Sequence, residues 1–151
     1  MKSRNGLFKL LLGTSLLAAA YAPQAFSDEA TSVVPAAQFS KLDGAGVYSH
    51  VCQGCHMTQG QGAKGAGAYP ALAQNPNIAS APYLVLTVLK GRKNMPAFGL
   101  GSHGEDKRSV ELTDAQIADV ANYVRSHFGN HYGDSISEKD VTALHQQPPA
   151  P

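Results

Sequence analysis

The pentapeptide Cys52-Gln53-Gly54-Cys55-His56 constrains the fold of this chain more than any other feature. It is a C-x-x-C-H sequence, the pattern of a c-type haem attachment. Two thiols three positions apart at a helix end can each bond one vinyl group of the same porphyrin. The residue after them then directs its imidazole at the iron from one side. On this reading Cys52 and Cys55 hold one covalent haem c, and His56 is the proximal metal ligand. Both cysteines of the chain lie in this pentapeptide. Three other uses of a C-x-x-C compete. A thiol–disulfide redox pair expects a βαβ pattern, which the sequence lacks. A zinc site needs further ligands, and no second cysteine pair exists to close its sphere. A single short disulfide is the third.

A prosthetic group also answers a problem of composition. The chain has 151 residues, enough for one domain. It has 15 Gly, no Trp and only 7% aromatic residues, so its side chains offer little apolar volume for a core. A porphyrin would supply that volume. The formal charge of +1 comes with no basic block interleaved with aromatics, which excludes a nucleic-acid footprint. No apolar run approaches the roughly 20 residues that span a bilayer.

Residues 1–27 read as a secretory signal peptide: Lys2 and Arg4, then a short apolar run, then Ala25-Phe26-Ser27 ahead of Asp28-Glu29. A retained membrane anchor is the alternative, but the uncharged run from Leu10 is short for it. No Cys lies near the exit, so a lipid anchor has no support. A cut after Ser27 leaves nine basic and eleven acidic residues, a formal charge of −2. Export places the protein in the periplasm.

Along the remaining chain, residues 28–40 read as a flexible lead-in. Residues 41–130 form one domain, and 131–151 a C-terminal extension with a short helix and a frayed Pro-rich tail. A helix is expected over Asp43–Gln53, from Val47 with Val51 and Tyr48 with Cys52 at i, i+4. Four Gly within Met57–Ala68 predict a loop. Ser80 and Pro82 open a second helix, with Leu84, Val85, Val88 and Leu89 on its apolar face and Gly91 at its end. Asn94–Ser109 reads as loop. Thr113 and Gln116 match a capping box for a helix over Asp114–Phe128, stopped by Gly129-Asn130. Ser137 caps a last helix to His145, docking through Val141 and Leu144. Strand signals are weak throughout.

A second axial ligand should lie downstream. Met57 abuts His56 and cannot reach round a porphyrin. Met95, in Lys93-Asn94-Met95-Pro96-Ala97-Phe98-Gly99, sits in a Gly-rich loop, and the following Pro fixes the local backbone. Met95 is therefore the expected distal metal ligand, against core packing as the ordinary role of a lone Met. His103 is the alternative ligand. His50, His127, His131 and His145 read as surface residues.

With these features in order, the chain resembles a class I c-type cytochrome over about Lys41–Gly129. That resemblance implies an all-α fold, the small cytochrome c fold, with helices and loops wrapped around one haem and the N- and C-terminal helices crossing. It implies a contact of small residue against aromatic among Gly44, Tyr48, Val120 and Tyr123. It also implies that the Pro70 carbonyl accepts the proximal imidazole proton and that Leu72 packs on the haem face. The run Gly60-x-Gly62-x-x-Gly65-x-Gly67-x-Tyr69-Pro70-x-Leu72-Ala73, with Met95-Pro96-Ala97-Phe98 and Tyr123-Val124-Arg125-x-x-Phe128-Gly129-Asn130, is similar to the cytochrome c subunits of bacterial periplasmic dehydrogenases. The large members carry three C-x-x-C-H sites; this chain has one.

The implied function is single-electron transfer, not catalysis: electrons arrive from a periplasmic dehydrogenase and leave to an oxidase or another cytochrome. A haem enzyme or small-ligand sensor with an open distal site is the competing reading, and Met95 discriminates between the two. Lys64, Lys90, Arg92 and Lys93 should border the haem edge, as a docking patch or as ordinary solvated surface. Arg92, Asn94 and Tyr83 are candidate partners of a buried propionate.

Overall fold

The computed structural model describes residues 34–65, 67–103 and 110–147. The expected signal peptide over 1–27, the first residues of the lead-in, part of the loop before Val110 and the end of the tail lie outside the described residues.

Asp43 starts the first helical stretch, its side chain accepting from the Gly46 N–H at 2.8 Å. Helix α2 (Gly44–Val47) runs into a π-helical segment (Tyr48–Cys52) and closes as α3 (Gln53–His56). The stretch therefore continues past the expected end at Gln53. Its middle is wider than expected, because the Gln53 N–H donates to the Tyr48 carbonyl five residues back. Met57, at φ 65°, ends it.

The next segment, expected as loop, holds a small antiparallel pair, β1 (Ala63–Lys64) with β2 (Ala68–Tyr69). The glycines that argued against regular structure supply its reversal, with the Gly65 N–H donating to the Gly67 carbonyl at 3.0 Å. A 3-10 turn, Pro76–Ala79, leads to α4 (Ala81–Lys90), capped by Ser80. Helix α5 (Asp114–Ser126) carries both bonds of the expected Thr113–Gln116 capping box. It stops before Phe128 because His127 is extended and Phe128 takes φ 59°. Helix α6 (Glu138–His145) forms as expected behind Ser137.

The core gathers the apolar stripes of these helices: Val47 and Tyr48, then Leu84, Val85, Val88 and Leu89, then Ile117, Val120, Ala121 and Val124. Helices α2 and α5 meet backbone to backbone. A Cβ on Gly44 would lie 2.2 Å from the Asp119 carbonyl oxygen and 3.0 Å from Tyr123 Cβ. Tyr48 closes the same contact, its ring 5.6 Å from Tyr123 and 4.8 Å from Phe128. The architecture is helical, with one two-stranded ribbon among the described residues.

Two expected boundaries are corrected. The lead-in is anchored at its end: α1 (Ala36–Phe39) forms, Phe39 packs on the core, and its carbonyl accepts from Gln116 Nε2 at 2.9 Å. The extension after Asn130 is likewise part of the core, since Ile136 and Val141 are buried. Arg125 ties it down. Its guanidinium donates to the Ile78, Ala79 and Asp134 carbonyls and pairs with the Asp134 carboxylate, with only 1% of the side chain exposed. A buried guanidinium needs that many acceptors to offset its lost hydration. Among the described residues no helix is long and apolar enough to cross a membrane.

Candidate functional site: a haem crevice between two walls

Between α3 and the loop after α4 lies a cavity of about 800 Å³. Its lining brings together Cys52, Cys55, His56, Pro70 and Met95, five of the six residues expected at the site.

One wall is built by α3 and the hairpin. His56 is buried at the end of α3, and its Nδ1 donates to the Pro70 carbonyl at 2.9 Å. A carbonyl only accepts, so Nδ1 carries the ring proton and Nε2 keeps its lone pair for a metal. The hairpin brings Pro70 there. A Cβ on Gly62 would lie 2.4 Å from the Tyr69 carbonyl oxygen, and Gly62 takes φ 67°, so that crossing needs glycine. The sulfurs of Cys52 and Cys55 are not joined to each other. Burial, with Cys55 beside it, pushes the Cys52 thiol up to about 12. A thiol–disulfide exchange pair needs the opposite shift. Among the described residues no group of three or more His, Cys, Asp or Glu could hold a metal ion by itself, which removes the zinc alternative there.

The facing wall is the Met95 loop. Arg92 and Met95 exchange both backbone hydrogen bonds at 3.0 Å, which makes the loop a tight hairpin with Lys93 at φ 55°. Gly91 lets it fold back: at φ 71°, its Cβ would lie 2.7 Å from the Met95 carbonyl oxygen. After Met95, the Phe98 and Gly99 N–H groups donate to the Val88 and Leu89 carbonyls of α4, at 2.8 and 3.2 Å. Met95 and Phe98 both line the cavity. His103 is not part of the lining. Its Nε2 is 2.6 Å from the Ala97 carbonyl oxygen.

Leu72, the sixth, is not among the described lining residues; it packs, half-buried, against the core. Its backbone is clamped on both sides, the N–H donating to Gly60 and the carbonyl accepting from Asn130 Nδ2. Lys90 also departs from the cationic rim, because its Nζ reaches the His145 carbonyl at 3.1 Å. Lys64, Arg92 and Lys93 do line the cavity, together with Asn94 and Tyr83, and the Arg92 guanidinium sits 5.8 Å from the Tyr83 ring centroid. No carboxylate is among the described lining residues.

Sequence reasoning missed Val51, Phe98 and Thr87 as lining residues. Thr87 had a signal: it stands four positions after Tyr83, on the α4 face opposite the apolar stripe. The donor set fits a covalently held haem. Two separate thiols stand beside an imidazole with a free nitrogen, a thioether lies on the facing wall, and the lining between them is mostly apolar.

Comparison with known proteins agrees with this geometry. The family model for cytochrome c matches residues 42–128. The chain is 44% identical to the fructose dehydrogenase cytochrome subunit of Gluconobacter japonicus, over 58% of this chain and 19% of that protein. It is 34% identical to the gluconate 2-dehydrogenase cytochrome c subunit of Pantoea cypripedii, over 67% of this chain and 23% of that one. It is 31% identical to cytochrome c-552 of Thermus thermophilus, over 60% of this chain and 64% of that protein. The chain thus spans about a fifth of the length of the two dehydrogenase subunits. A C-x-x-C-H helix end, a crevice facing it and a family match across both make this chain a member of the cytochrome c family, carrying covalent haem c.

Proposed function

We propose that the protein is a monohaem electron carrier of the periplasm, taking single electrons from a dehydrogenase and passing them to an oxidase or another cytochrome. The observation that carries this reading is one cavity whose lining brings together the His56 imidazole and the Met95 thioether. When bound, the haem supplies a one-electron iron couple whose potential follows from its axial ligands and surroundings. Cys52 and Cys55 hold it in place. His56 ligates from the helix end, and the Pro70 carbonyl fixes its ring orientation and raises its basicity. Met95 would ligate the haem from the loop and so keep a substrate or a small ligand off the iron. Arg92, Asn94 and Tyr83 are placed to bind a propionate, and Lys64 and Lys93 to offset the remaining charge.

The dehydrogenase donor is supported by the names of the similar subunits. The periplasmic location rests on the basic, then apolar, then small-residue order of positions 1–27.

The test is spectroscopic. The oxidised protein should show a long-wavelength sulfur-to-iron charge-transfer band, and its reduced form should bind carbon monoxide slowly. Met95→Ala should abolish the band, speed carbon monoxide binding and lower the potential. A parent protein that is high-spin and binds carbon monoxide rapidly would establish the ligand-binding alternative instead.

A further inference from the structure

We propose that α6, beyond the 42–128 segment that the cytochrome c family model matches, is a clamp on the Met95 loop, with His145 as its positioning residue. The inference rests on the reading of Met95 as the distal ligand.

Three helix ends meet behind that loop. His145, the last residue of α6, donates from Nδ1 to Asp114 Oδ1 at 2.7 Å, and Thr142 donates to Asp114 Oδ2 at 2.7 Å. An ionised carboxylate only accepts, so both bonds are charge-assisted. Asp114 sits in the first turn of α5, where the helix dipole favours its negative charge. From the other side, Lys90 at the end of α4 donates to the His145 and Gln147 carbonyls at 3.1 and 3.4 Å, and so caps α6. The last turn of α6 is thereby fixed against the ends of both core helices.

What it covers is the return limb of the loop. A Cβ on Gly99 would lie 3.2 Å from His145 Nε2 and 3.0 Å from the Leu89 carbonyl oxygen. Gly99 is buried in that slot. Its other ties are Phe98 and Gly99 to the Val88 and Leu89 carbonyls, the Leu112 N–H to the Phe98 carbonyl at 2.7 Å, and His103 Nε2 to the Ala97 carbonyl at 2.6 Å. Met95 is four residues before Gly99, with the stiff Pro96 between them. For Met95 to leave the crevice, this limb must peel from α4, and His145 stands in the way. The clamp keeps the distal position filled through both oxidation states, which an electron carrier needs and a ligand-binding haem does not.

The experiment uses the full-length, haem-loaded protein and measures carbon monoxide binding to its reduced form, beside the charge-transfer band and the thermal midpoint. His145→Ala should raise the carbon monoxide rate roughly tenfold, the effect of losing one charge-assisted hydrogen bond. His145→Asn retains a donor at the Nδ1 position and should restore most of the parental rate. Asp114→Asn should match His145→Ala, and the double variant should add little to either. Lys90→Met releases α6 from its other side and serves if His145→Ala loads poorly; it should raise the rate about threefold, as for the loss of a weaker, exposed bond. A His145→Ala protein that melts lower but binds carbon monoxide at the parental rate would show that α6 only stabilises the fold, and overturns the clamp. If instead Met95→Ala binds carbon monoxide no faster than the parent, the distal-ligand reading fails first, and the clamp fails with it.

Discussion

The two walls of the crevice are held by different means. The wall bearing His56 is nearly self-contained: the residue that ends α3 is braced by a carbonyl fourteen positions on, through a hairpin between them. The wall bearing Met95 has one tight turn of its own, closed between Arg92 and Met95. It borrows its shape from the end of α4 on one side and from Leu112 and α6 on the other. A covalently tethered side tolerates local construction, because its ligand and its tethers lie on one helix end. The Met95 side has no cysteine to bond the cofactor, so Met95 is only as firmly placed as the elements behind it.

The largest expected effect removes that asymmetry. Cys52→Ser with Cys55→Ser should abolish haem staining on a denaturing gel, since no other cysteine exists to replace them. Retained staining would mean that attachment does not need these thiols. Next comes Met95→Ala, which should leave attachment intact while the charge-transfer band disappears, so that only the second wall is lost.

A matched glycine pair sharpens the contrast further. Gly62→Ala and Gly91→Ala each place a Cβ against backbone at positive φ, one per wall. Strain of this kind costs about 1–3 kcal/mol. Gly62→Ala should loosen the Pro70 carbonyl from His56 and lower stability to urea with the band retained. Gly91→Ala should weaken the band and speed carbon monoxide binding, with a smaller loss of stability. Equal spectral effects in the two variants would break the distinction between the walls.

The smallest effect lies away from both. The hydrogen bond from Arg125 holds the Asp134 carboxyl below the usual carboxylate range. A carboxyl depressed in the folded state contributes stability above its unfolded value, and that contribution is lost as pH falls through the folded one. Asp134→Asn should therefore flatten the acid side of the stability curve. At neutral pH it should cost that same contribution, kept small because Asp134 is exposed, and neither wall's spectrum should change. Acid melting curves of the two proteins that run parallel would contradict this.

What was legible in the sequence follows the same division. Cys52, Cys55 and His56 could be read from five residues because their chemistry is a matter of spacing along one helix. Pro70 and Met95 could be placed through resemblance and through the Met-Pro pair. The helix starts at Ser80, Thr113 and Ser137 were legible because capping is local. The bonds that fix the Leu72 backbone were not legible, because they come from Gly60 and Asn130, remote partners that no local pattern reveals. Lys90 was assigned to the rim by sequence proximity to Arg92, but a helix end and a carbonyl more than fifty residues away decide where its amine goes. Docking of the last helix through Val141 was legible from its spacing, but the burial of Ile136 and the Arg125 hub, which also tie the residues after Asn130 to the core, rest on remote partners and were not.

The π-helical segment from Tyr48 to Cys52 has a consequence for anyone who would transplant or redesign this site. One extra residue in a turn rotates everything after it by about 100° relative to a regular α-helix. The part before the segment is phased to α5, through Gly44 and Val47; the part after it is phased to the crevice. Grafting the pentapeptide onto an ideal helix of matching length would therefore aim its imidazole at the wrong neighbour, whereas removing one residue from the segment would let it relax to a regular helix with both ends still in phase.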